Sequence, residues 1–156
     1  MGLDTTHDCW HGAYSAFHRW RCMIAKAAGV PLLLMDGFYS DRDRGMGLRT
    51  SLKYATAGAD SIWTRSLQGD LFDWLPISWD ALKPDPLHVL LSHSDCDGEI
   101  ASKDCGPIAD RLEALLPALE EAGDGGGHIG HYAEKTRTFI AGLREAAERG
   151  ENVEFH

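Results

Sequence analysis

The stretch His93-Ser94-Asp95-Cys96-Asp97-Gly98-Glu99-Ile100-Ala101-Ser102-Lys103-Asp104 decides how this chain is read. Oxygen-bearing side chains alternate along it, followed by a glycine, an aliphatic residue and a closing carboxylate. That spacing suits a loop wrapped around a hard cation, since such ions take several oxygens from one tight turn. Helix signals flank it. Upstream, Asp85-Pro86 offers an N-cap and a first helical residue that needs no N–H. Leu87, Leu90 and Leu91 then share a face, although the run is short enough to be a strand. Downstream, Asp104 is placed to cap a helix with Pro107 in its first turn, and Ile108, Leu112, Leu115 and Leu119 form one apolar face. Pro117 removes the bond to the Glu113 carbonyl, which predicts a kink or break.

Working outward, Gly123 to Gly127 reads as a flexible connector. A last helix is predicted from about Gly130 to Arg149, with Tyr132, Thr136, Phe139, Ile140, Leu143 and Ala147 facing the core. Gly150 stops it, and Glu154-Phe155-His156 fits a short edge strand. At the other end, residues 1–29 read as a cap and one long helix. Thr6 is its N-cap, Asp8 lies in its first turn and Gly29 is its stop. Trp10, Ala13, Phe17, Trp20, Ile24 and Ala28 recur at helical spacing. Residues 30–83 are less legible. Pro31 to Met35 is a buried piece of either type, Asp36-Gly37 a turn, Asp41 to Gly47 a charged loop and Ser61 to Thr64 a candidate strand. Leu71, Phe72, Trp74, Leu75, Ile77, Trp79 and Leu82 are core anchors. The prediction is a mainly α fold with one or two short edge strands, one domain over residues 1–156.

Composition narrows the function classes. A charge of −9 argues against nucleic acid, which needs a surplus of Lys and Arg, and against an anionic membrane. No apolar run spans a bilayer, and the start lacks the basic and apolar regions of a secretory signal. Four cysteines without a C-x-x-C pair fit free thiols, so a cytoplasmic setting is expected.

With Gly98 at the sixth place, His93 stands first, Asp95 third, Asp97 fifth and Asp104 twelfth, and Glu99 offers its backbone carbonyl at the seventh. Over these residues the segment resembles an EF-hand loop. The resemblance implies a divalent cation, Ca²⁺ or Mg²⁺, held by His93, Asp95, Asp97, Glu99 and Asp104. His93 replaces the usual Asp and Asp104 the bidentate Glu, so affinity is expected at the weak end, on the order of 10⁻⁴–10⁻³ M. Zinc is the less favoured metal, through His93, Cys96, Cys105 and one of His7, Cys9 or His11. The bland alternative is a tight Asx turn joining two helices.

Two further sites compete. Gly126, Gly127 and His128 lead into the last helix, which carries Lys135 and Arg137. Free N–H groups at a helix start beside cations attract a small anionic ligand. Arg42, Arg44 and Arg49 are available to add charge. His7 and His11, spaced H-x-x-x-H, suggest a metal-dependent hydrolase if both lie on one helical face. The opening Gly2 to His11 and the Leu91 to Glu99 run resemble small proteins of bacteria and their phages, which implies no particular activity. In a phage setting, a sponge or inhibitor of a nucleotide or host protein is a reasonable expectation. The ranking is a non-enzymatic cation-binding protein first, the anion or host-protein binder second and the hydrolase third.

Overall fold

The computed structural model describes residues 2–30, 32, 35, 78–94, 96–123 and 131–156. The expectations for 36–77, most of the 123–127 connector, Asp95, and Gly126, Gly127 and His128 lie outside the described residues. The chain is mainly α. Among the described residues four α-helices carry it: α1 Tyr14–Ala27, α2 Leu87–Ser92, α3 Ser102–Glu121 and α4 Tyr132–Arg149. Two antiparallel strand pairs accompany them, β1 Gly2–Asp4 with β2 His11–Ala13 and β3 Gly98–Ile100 with β4 Val153–Phe155. A single apolar cluster draws on all of these helices and on β1, β3 and β4. Among the described residues no helix is long and apolar enough to cross a membrane.

α3 and α4 lie side by side and antiparallel, as the cross-links Arg144 to Asp110 (2.9 Å) and Glu113 (2.6 Å), and Arg137 to Glu120, require. Their inner faces, Ile108, Leu112, Leu115 and Leu119 against Phe139, Ile140 and Leu143, follow the sequence periodicity. α1 crosses them with Phe17, Trp20 and Ile24 buried. Its Trp20 indole N–H donates to Thr136 Oγ1 (2.9 Å), and Thr136 donates to the Tyr132 carbonyl, so both buried polar groups are satisfied. Gly29, at φ +71, closes α1 with Val30 N–H donating to the Ala25 carbonyl, a Schellman ending. Gly150 ends α4 in the same way through Glu151 and Ala146.

Three expectations need correction. The predicted N-terminal helix does not begin at Thr6. His7 and Asp8 take left-handed φ values of 58° and 50°, so residues 2–13 form a hairpin and α1 starts at Tyr14. The threonines explain why. Thr5 Oγ1 accepts from Trp10 N–H (2.8 Å), and Thr6 Oγ1 accepts from Glu154 N–H (2.9 Å), so both serve a turn tied to the C-terminal strand. Trp10 still faces the core, 5.1 Å from Phe17 and 5.4 Å from Trp20, which is why it extended the helical pattern. Second, α3 starts at Ser102, not after Asp104. Its cap comes from Asn152, whose Oδ1 accepts the Ser102 N–H at 3.0 Å, and Pro107 therefore lies beyond the first turn. Third, of the kink or break expected at Pro117 the break does not occur: α3 continues through it, held by Leu115 and Leu119 on either side.

Of the two readings of Leu87–Leu91, helix is correct, and Asp85 Oδ1 accepts the Leu87 N–H at 2.9 Å. The carbonyl end of α2 is closed by the buried Arg21, which donates to the Leu90, Leu91 and His93 carbonyls. Its guanidinium lies 5.0 Å from the Phe17 ring, and burial pulls its pKa down to about 10. A cation is favoured there because the helix dipole places partial negative charge at that end.

Candidate functional site

The loop after α2 is a helix–loop–strand–helix unit. Gly98 has φ +104, a conformation that favours glycine, and Ile100 is fully buried. Asp97 and Glu99 are exposed, and Asp104 lies half-buried in the first turn of α3. The His93 ring turns inward. It stacks on Phe155 at 4.2 Å, and its Nδ1 lies 2.8 Å from the Ser94 carbonyl. Nε2 sits 3.1 Å from where a Cβ on Gly98 would be. Burial, reinforced by Arg21, holds its pKa below the ordinary imidazole value against the pull of the Ser94 carbonyl. The Glu99 carboxylate accepts from Asn152 Nδ2 at 3.0 Å. The donors left for a cation are the Asp97 and Asp104 carboxylates and the Glu99 carbonyl, with Asp95 outside the described residues. Among the described residues no three His, Cys, Asp or Glu side chains form a group able to hold a metal ion.

The groups of the zinc expectation are engaged in different places. Cys96 is exposed, whereas Cys9 and Cys105 are buried. Burial pushes the Cys9 thiol up to about 12 and the Cys105 thiol up to about 11. The helical face assumed for His7 and His11 does not exist. His7 sits in the left-handed turn with Nε2 3.3 Å from Glu151, and His11 is on β2, bonded to Asp4.

Lys135 and Arg137 are both on α4 but point to opposite sides, as residues two apart on a helix must. Arg137 pairs with Glu120 and lines one groove at the α3–α4 end. Lys135 lines another, of about 320 Å³, and its Nζ lies 5.7 Å from the Trp10 ring. This second groove runs between the N-terminal turn and the start of α4. Asp8, Cys9, Trp10 and His11 form one wall, and His131, Glu134, Lys135 and Thr138 the other.

The sequence reading missed most of this groove. Its first wall is held by a close approach at Gly142, where an added Cβ would lie 2.5 Å from both Cys9 Sγ and the His7 carbonyl. Trp10 is only 4% exposed, and its indole N–H has no partner among the described residues. Asp4 and His11 are cross-strand partners, and Asp4 Oδ1 contacts His11 Nδ1. At the other wall α4 follows His131, whose side chain makes no capping bond to the first turn. The Glu134 carboxylate lies 3.7 Å from His131 Nδ1. Comparison of the chain with protein-family models, curated proteins and solved structures finds no match.

Proposed function

We propose that this chain is a small-ligand binding protein, and that its ligand carries a single negative charge. The observation that carries the reading is the groove of about 320 Å³ where Lys135, His11 and His131 converge on the uncapped start of an eighteen-residue helix. Its volume falls at the lower end of small-molecule sites, roughly 300–1,000 Å³. Lys135 and the helix start favour an anion, whereas Asp8, Glu134 and the overall charge of −9 disfavour a multiply charged one. Burial keeps the adjoining Cys9 thiol protonated, which disfavours it as a nucleophile. The test is a thermal-shift and NMR screen against small monocarboxylates, with and without a neighbouring hydroxyl or amine. Stabilisation with shifts at Trp10, His11 and Lys135 supports the reading; silence across the panel at millimolar concentration refutes it.

A divalent cation at residues 93–104 is the second reading, favoured by Gly98 at φ +104 between two helices. The all-oxygen donor set of Asp95, Asp97, Asp104 and the Glu99 carbonyl suits Ca²⁺ or Mg²⁺, without a nitrogen from His93. Calorimetry with Ca²⁺, Mg²⁺ and Zn²⁺ tests it. Heat that disappears in Asp97→Asn supports it, and no heat with any of the three sinks it.

A further inference from the structure

The Asp4–His11 pair gives the groove a directional polar group. Asp4 is fixed by its backbone, which exchanges two hydrogen bonds with His156, at 2.9 and 3.0 Å. β1 and β2 set Asp4 directly opposite His11, which brings the two side chains together on one face. A carboxylate only accepts hydrogen bonds, so the imidazole nitrogen it faces must carry the proton. The neutral ring then keeps that proton on Nδ1 and leaves the Nε2 lone pair bare. The His11 side chain is 91% exposed, so this acceptor faces solvent at the groove's edge. Lys135, in the opposite wall, is donor-only.

Resting on the groove reading above, we propose that Asp4 is a positioning residue that presents His11 Nε2 as a hydrogen-bond acceptor. The ligand therefore carries a hydroxyl or amine donor beside its anionic group: the anion faces Lys135 and the α4 start, and the donor faces His11. Simple carboxylates lacking such a donor bind less well, because they forgo that hydrogen bond.

Lactate and propionate are the probes, since they differ in the hydroxyl beside the carboxylate. Titrations are followed by the ¹⁵N resonances of the His11 ring in mildly alkaline buffer. In the wild type, Nδ1 reads as protonated and Nε2 as bare, lactate shifts Nε2, and lactate binds about threefold more tightly than propionate. Asp4→Ala loses the fixed tautomer and brings the lactate and propionate affinities together. His11→Phe, at so exposed a site, keeps the fold and also loses the preference. Equal binding of the two acids, or an Asp4→Ala protein that retains the preference, overturns the role of Asp4 and leaves the groove reading standing. Failure of both acids to perturb any groove residue overturns both.

Discussion

Replacing Gly142 with alanine places a methyl group into occupied space. The new Cβ would stand 2.5 Å from Cys9 Sγ, 2.5 Å from the His7 carbonyl oxygen and 3.0 Å from Cys9 Cα. Two of these are backbone atoms of a turn held by left-handed His7 and Asp8, so no side-chain rotation relieves the contact. Carbon contacts settle near 3.5–4.0 Å, so the turn and α4 must separate by about 1 Å. On a free helix the same change would stabilise by about 1 kcal/mol. Overpacking of a core costs about 1–3 kcal/mol and more where backbone must move. The clash wins, and Gly142→Ala is predicted to lose about 2 kcal/mol net. For a chain of this size that lowers Tm by roughly 4–8 °C. Urea and thermal unfolding read the loss. A Gly142→Ala protein as stable as the wild type would refute the packing of the N-terminal turn on α4, and with it the first wall of the groove.

The pH dependence follows from His93. Its folded-state pKa is lowered, so the unfolded chain binds the proton more readily. Its contribution to stability is present above about pH 6.5 and is lost as pH falls through the imidazole range. His93→Phe should flatten part of that slope in urea unfolding, and the lowered His18, left intact, should keep a remnant of the same sign. Asn152→Ala removes the cap of Ser102 and the anchor of Glu99 together, and unfolding should show a loss of about 1–2 kcal/mol. Thiol labelling followed by mass spectrometry should modify exposed Cys96 first and half-buried Cys22 more slowly. Cys9 and Cys105 should stay protected until the protein unfolds, and early labelling of Cys9 would contradict its burial.

Much of the helical fold was legible because its signals are local and redundant. The α3 and α4 faces, the glycine stops at Gly29 and Gly150 and the helix at Leu87 all follow from periodicity and capping chemistry. The edge strand at the C-terminus was also legible, whereas its partner β3, buried inside the supposed cation loop, was not. The N-terminal error has a clear cause. Thr6 and Asp8 are good helix-start residues, but Thr6 finds its partners in Asn152 and Glu154, far along the chain. Long-range capping of α3 by Asn152 was hidden for the same reason. The groove was half-visible: Lys135 and the start of α4 stand out in the sequence, but Asp8, Trp10 and His11 read as the first turns of a helix that begins only at Tyr14. Only a period-two reading of Leu3 to Asp4 against His11 to Ala13 would have suggested that cross-strand pair.

The central claim is that ligand binding belongs to the groove between residues 8–11 and 131–138. An amide ¹H–¹⁵N titration of the intact chain with lactate, and separately with Ca²⁺ and Mg²⁺, tests it most directly. Saturable lactate shifts confined to Asp8, Trp10, His11, Glu134, Lys135 and Thr138 are predicted. Shifts that appear only with the cations and map to residues 93–104, with none from lactate, would contradict it.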